Sequence, residues 1–269
     1  MSKQPLTVDP GLRFDLDDFA PDYTGKYDSA KSAKKETEKY LEALAELQEM
    51  LYAQGKKALL VVLQGMDTAG KDGVISHVMG AFNPQGVQVS SFKVPSEEEL
   101  AHDYLWRIHK VIPRRGLIGI FNRSHYEDVL VVRVAKLAPE EVWRKRYAQI
   151  NHFERLLAES GVTIVKFFLY ISKEEQAERL RERQQTPSKQ WKFSPGDLKV
   201  REVWDDYMRA YEDALTECNT EYAPWYVIPS DRKWYRNLAA SSVLVETMQG
   251  MDLEYPDPIP NIESYEIPD

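Results

Sequence analysis

Two carboxylates inside a phosphate cradle set the first problem. Residues 65–73 read GMDTAGKDG, with Gly65, Gly70 and Lys71 at the spacing of G-x-x-x-x-G-K. In that pattern backbone N–H groups turn around phosphate oxygens and the lysine reaches the transferred phosphoryl group. The usual next residue is Ser or Thr, whose hydroxyl serves a magnesium ion. Here it is Asp72, and Asp67 lies inside the loop. Beside phosphates alone both carboxylates would repel the ligand. A divalent cation reverses the sign, because Mg²⁺ takes one or two carboxylates together with phosphate oxygens. Asp67 is therefore read as a metal ligand. Asp72 either replaces the missing hydroxyl or is an acidic residue favoured at a helix start. Gly65, Ala69, Gly70, Asp72 and Gly73 are expected to cradle the phosphates.

A second cluster, NRSHYEDVLVVRV, fills residues 122–134. In loops of this kind an acidic residue at the end of a neighbouring strand helps to hold the metal. That position is Asn122, and Glu127 and Asp128 follow it. Arg123 is placed to meet a phosphate, or to pair with Asp128. Nothing demands a catalytic His125. A third segment, RLRERQQTPSKQWKFSPGDLKVR at 179–201, holds seven Lys or Arg against two acids in a chain of net charge −8. Thr186, Pro187, Ser188, Ser194, Pro195 and Gly196 interrupt its helical period. The reading is a basic lid of two helices with a mobile connection; the plain alternative is a solvated helix surface. Arg179 and Arg183 would share one helix face, and Lys189 and Lys192 would lie on the connection. Lys93, at the end of a strand that opens toward a ligand crevice, and Arg133 are further candidates. Arg107, Lys110, Arg114 and Arg115 either extend the basic track or face solvent. Trp191, Trp204 and Tyr207 are read as packing residues, and His102, His109 and His152 as structural.

These residues need a scaffold. Short apolar runs at 58–64, 87–94, 117–121, 162–171 and 225–229 read as strands. Helical patterns fall at 32–54 (ended by Gly55), 71–82, from the capping box Ser96-x-x-Glu99, from Pro139 to Ser160 and from near Lys173. The alternation predicts a three-layer α/β domain on a mostly parallel sheet. It divides the chain into an extended arm at 1–31, a domain at 32–250 and an acidic, Pro-rich tail at 251–269. With 43% hydrophobic residues the chain can bury a core, and its net −8 charge argues against nucleic-acid or membrane-surface binding. Cys218 is the single cysteine, read as a semi-buried helix residue, so no internal disulfide forms. No apolar run approaches the ~20 residues that span a bilayer. The start, MSKQPLTVDPG, lacks an apolar secretory segment; the expectation is a cytoplasmic protein.

GMDTAGKDG together with FNRSHYED resembles the family-2 polyphosphate kinases, and HDYLWRIHK and WKFSPGDL are similar to that family too. The resemblance runs from about Lys56 to Tyr235. It implies a P-loop kinase fold with sheet order 2-3-1-4-5 and a helical lid. It also implies a Mg²⁺-dependent, reversible transfer of a phosphoryl group from inorganic polyphosphate to a nucleotide. Asp67, Lys71 and Arg123 would act at the phosphates, Arg179 and Arg183 would clamp from the lid, and Asp67 with Asp128 would organise the metal. Many relatives carry FDRSWYNR where this chain has FNRSHYED. The present version looks like the subgroup that accepts both AMP and ADP, which implicates Glu127 in acceptor choice. Family members form dimers or tetramers, a role that suits the arm and tail. An ATP-dependent nucleotide kinase and a non-catalytic polyphosphate or nucleotide sensor are the alternatives.

Overall fold

The computed structural model describes residues 7–268. The first six residues of the expected arm, and Asp269 at the end of the tail, lie outside the described residues. At its centre is β1 (Ala58–Gln64), buried at every position. A continuous apolar run of this length is what a strand covered on both faces requires. Around it β2 (Val87–Ser91), β3 (Ile118–Asn122), β4 (Val162–Tyr170) and β5 (Trp225–Pro229) complete one sheet. Its order is β2-β3-β1-β4-β5. Every pairing is parallel rather than most of them.

Seven helices of seven or more residues surround the sheet among the described residues. They are α1 (Ala30–Gln54), α2 (Lys71–His77), α3 (Glu140–Glu159), α4 (Lys173–Gln185), α5 (Pro195–Glu202), α6 (Trp204–Glu217) and α7 (Lys233–Gln249). Alternation along β4 separates the layers. Lys166 meets Glu154 on α3, and the Phe168 ring packs, tilted, at 4.5 Å on Tyr211 of α6. Phe167 turns the other way, to Tyr226, on the side where α7 packs on β4 and β5 and against α1.

Three expectations shift. β2 ends at Ser91, short of 94, because it is an edge strand with one neighbour and Pro95 follows soon after. The helix expected over 71–82 stops at His77 and continues as a 3-10 turn, Met79–Ala81, because Gly80 and Pro84 discourage a longer helix. The arm is strapped down where described. Val8, Phe14 and Leu16 enter the core, and Thr7 bridges Tyr226. Asn219 donates to the Val8 carbonyl at 2.8 Å. The tail keeps Ile259, Ile262, Tyr265 and Ile267 exposed.

β1 has β3 on one side and β4 on the other, so chain connections leave it in opposite directions. Such a switch point opens a crevice at the carboxyl ends of the strands. The loops after β1, β3, β4 and β5 all emerge there.

Candidate active site

The loop from Gly65 to Gly70 joins β1 to α2, and Gly70, at φ 112°, caps the helix start. Lys71 is folded back on it: Nζ donates to the carbonyls of Gly65 (2.7 Å) and Met66 (3.2 Å). Burial, and then Arg123, push its ammonium down to about 8. A phosphate dianion entering the loop would restore the proton's hold.

Arg123 leaves β3 in a left-handed conformation, φ 62°, rare for a residue with a side chain. Its N–H donates to Leu63 O at 3.1 Å, fixing the turn against β1. Its guanidinium then reaches two acids, Asp67 at 2.6 Å and Glu127 at 3.1 Å. Burial works to lower the Arg123 pKa, but Glu127 and Asp67 outweigh it and hold the value above the ordinary one. Asp128, the other half of the expected metal pair and an alternative partner for Arg123, is not brought to this group. It pairs instead with Arg146 at 2.7 Å, because the 3-10 turn His125–Asp128 points it away. Burial raises its carboxyl despite that partner.

The turn rests on a buried charged cluster. Glu154 and Lys166 are both fully buried and 2.6 Å apart. Glu154 also accepts from Tyr126 Oη (2.9 Å) and lies 3.1 Å from His125 Nε2. His125 is thus part of the foundation, and Ser124 joins it by accepting from the Tyr126 N–H at 3.1 Å, while also accepting from Gln64 at 3.0 Å.

A cavity of about 690 Å³ opens over the loop. Its wall holds eight Lys or Arg side chains and three Asp or Glu. Asp67, Gly70, Lys71, Asp72, Gly73, Asn122 and Arg123 form one part; Arg179, Arg183, Lys189 and Lys192 form another. Asp72 does not cap α2. Its carboxylate accepts from Asn122 (3.0 Å) and pairs with Lys192 from the far side at 3.4 Å, so the 179–201 segment does reach across the cavity. Arg183 is tethered only by long contacts, 3.4 Å to Asp197 and 3.5 Å to the Lys192 carbonyl.

Arg179, expected as a phosphate clamp, lies on the cavity wall with its donors turned to other partners. Nε donates to Glu175, Nη1 to the carbonyls of Thr68 and Ala69, and Nη2 to those of Ser230 and Asp231. An arginine has five N–H donors, and all are committed. Arg179 staples the loop after β1 to the loop after β5.

Gly65 and Ala69 lie beneath the wall and offer carbonyls to Lys71 and Arg179. Glu127 touches the site through Arg123. Lys93 is exposed beyond edge strand β2 and is not on the wall. Arg133 is used elsewhere, paired with Asp213 at 2.6 Å and resting on Trp143. Trp204 and Tyr207 are buried as expected, whereas Trp191 is 78% exposed at the tip of the 179–201 segment.

The wall also holds Lys233, Trp234, Arg236 and Asn237 from the start of α7, none of which the sequence reading singled out. The signal was available: SDRKWYRN directly follows β5, and a strand's carboxyl end faces the crevice.

Three comparisons bear on this arrangement. The family model of polyphosphate kinase 2 matches residues 27–256. A protein of Meiothermus ruber named AMP/ADP-polyphosphate phosphotransferase is 56% identical over 252 residues, 93% of this chain and 94% of that protein. An ADP-polyphosphate phosphotransferase of Rhodopseudomonas palustris is 44% identical over 94% of this chain and 92% of its own. The crystal structure of polyphosphate kinase 2 from Arthrobacter aurescens superposes with a TM-score of 0.91 at 45% identity, covering 98% of this chain and 93% of that one.

Proposed function

The chain belongs to the polyphosphate kinase 2 family, and from that premise we propose that it moves a phosphoryl group from inorganic polyphosphate to AMP and to ADP, making ADP and ATP. The observation that carries the reading is the run of cations along one cavity wall, beginning at a P-loop lysine. A repeating polyanion needs a repeating cation track, and transfer between phosphates needs positioning and charge neutralisation more than a general base.

The residues divide accordingly. Lys71 carries the moving group, leaving its two carbonyl partners when the phosphate arrives. Arg123, aimed by Asp67 and Glu127, neutralises charge on the same group. Arg183, Lys189 and Lys192 bind from the 179–201 segment, and the Lys192–Asp72 pair draws that lid down. Glu127, held against Arg123, is our candidate for acceptor choice. The acids on the wall fit Mg²⁺. Among the described residues no three acidic, His or Cys side chains gather into a cage, and this ion uses one or two carboxylates with substrate phosphates instead. Asp67 would hold it, with Asp72 as the second carboxylate. Bound there, the ion would neutralise charge between the two phosphates that exchange the group.

The reaction joins anhydrides of similar energy, so we read it as reversible. No described helix is long and apolar enough to cross a membrane; we read the enzyme as cytoplasmic, where its nucleotides are. The exposed Ile259, Ile262, Tyr265 and Ile267 of its acidic tail fit a homo-oligomer, which light scattering on the purified protein would measure.

The test is an assay with Mg²⁺ and long-chain polyphosphate, with AMP and ADP in separate reactions. ADP from the first and ATP from the second are expected. ATP serving as donor while polyphosphate stays inert would sink the reading in favour of an ordinary nucleotide kinase.

A further inference from the structure

Arg236 is a buried cation that the fold leaves without an anion. It lies in the first turn of α7, only 3% exposed. Nε and Nη2 donate to Asn237 Oδ1, a neutral amide, at 3.2 and 2.8 Å. Nη1 has no acceptor among the described residues, and the side chain is on the cavity wall. No carboxylate acts on the group; burial and the adjacent Arg179 push it down to about 10. The contrast with Arg179 is sharp. One arginine has all its donors occupied, and its neighbour has a whole edge free. A buried charge with no counterion is strongly unfavourable in a protein interior, so a fold that keeps one beside a phosphate loop is poised for an anion from outside.

The glycines show how close that anion would be to the P-loop. A Cβ on Gly70 would fall 1.8 Å from Arg236 Nη1, and one on Gly73 would fall 2.5 Å from Nη2. Gly73 has no positive φ to explain it and sits in the first turn of α2, where glycine is a poor helix former. What it admits is the Arg236 guanidinium, pressed against the helix start. The last glycine of GMDTAGKDG is thus half of a contact whose other half is on α7.

We infer that Arg236 is a phosphate receptor of the donor site: its free Nη1 edge takes an oxygen of the polyphosphate chain at a phosphate next to the one carried on the P-loop, and Lys233 continues the track. The inference rests on the polyphosphate reading above. Phosphate chemistry could come from the acceptor nucleotide as well. The donor is favoured because Arg183, Lys189, Lys192 and Lys233 share the wall with Arg236. A row of cations matches a repeating anion better than the single phosphate of AMP.

The experiment is calorimetric binding with the full chain, titrating tripolyphosphate and AMP separately, alongside KM values for polyphosphate and AMP. R236Q is expected to weaken tripolyphosphate binding about ten- to a hundred-fold, the worth of charge-assisted hydrogen bonds, while the AMP Kd stays within two-fold. R236K, which keeps the charge but loses the planar fork, is expected to fall between wild type and R236Q. G73A leaves the charge untouched and displaces the guanidinium, so it is expected to weaken tripolyphosphate in the same direction; because it alters only the helix start, it keeps the test open should R236Q fail to fold. Unchanged tripolyphosphate binding in R236Q and G73A, with wild type binding well, overturns this inference alone. Loss of AMP binding in place of tripolyphosphate binding reassigns Arg236 to the acceptor and also overturns it. A wild type that does not bind tripolyphosphate or long-chain polyphosphate overturns the functional reading and this inference together.

Discussion

Lys71 and Arg179 are both buried basic residues at the P-loop, and their hydrogen bonds assign them opposite roles. Lys71 holds two carbonyls that it can release. Lys71→Ala is therefore expected to cut turnover roughly 100- to 1000-fold, the usual loss for one electrostatic stabiliser, with the thermal midpoint little changed; steady-state kinetics beside a melting curve checks this. Arg179 closes four backbone carbonyls and a carboxylate. Arg179→Met orphans those acceptors, at roughly 1–3 kcal/mol for each one left buried and unsatisfied. Urea unfolding should show a clear loss of midpoint, whereas removal of a mere lid clamp would leave the midpoint alone. The placement of Lys71 was legible in sequence because a strand, a glycine loop and a helix surround it in the right order. The bonding of Arg179 was not. A backbone carbonyl leaves no trace in residue type, so a staple and a clamp read alike.

At the scale of elements, the turn that carries Arg123 and Glu127 stands on a pair from two others, Glu154 of α3 and Lys166 of β4. Burial works to raise the Glu154 carboxyl, but Lys166 and His125 outweigh it and hold it below its ordinary value. A carboxyl depressed in the folded state contributes stability that is fully present above its unfolded pKa and is lost as pH falls through the folded one. Acid unfolding of the wild type should therefore steepen below the ordinary glutamate range, about 4.3. Glu154→Gln breaks the pair and is expected to cost about 3–5 kcal/mol, measured by urea unfolding at neutral pH. Joined with Lys166→Met it should recover part of that loss, since two neutral groups leave no buried charge. Sequence patterning found all five strands, because buried parallel strands are continuous apolar runs. It could not foresee a lysine inside one of them: only a carboxylate on a helix across the layer makes Lys166 tolerable there. Nor could it foresee the partner of Asp128, since Arg146 lies on α3.

For the whole molecule, the single cysteine is a gauge of opening. Cys218 is fully buried, and burial pushes its thiol up to about 12. Alkylation at pH 8 should be slower than for a free thiol by orders of magnitude, and its rate should follow unfolding as urea is added. Fast labelling in buffer would mean that the α6 end opens readily. Arg236 shows where sequence reading stops at this scale, because its role exists only once α7 packs on a loop far away in the chain. The all-parallel sheet has one more consequence. Every loop that bears on the reaction emerges at the rim where the strands end, and the opposite rim carries the turns that enter the five strands, among them those near Gly55, Gly86, Gly116 and Gly161. The molecule thus has a working mouth and an idle heel. Fastened to a solid support by the heel, for instance through a tag set into the turn at Arg114–Arg115, it should keep its full rate; fastened through the lid at Ser188, it should fall silent.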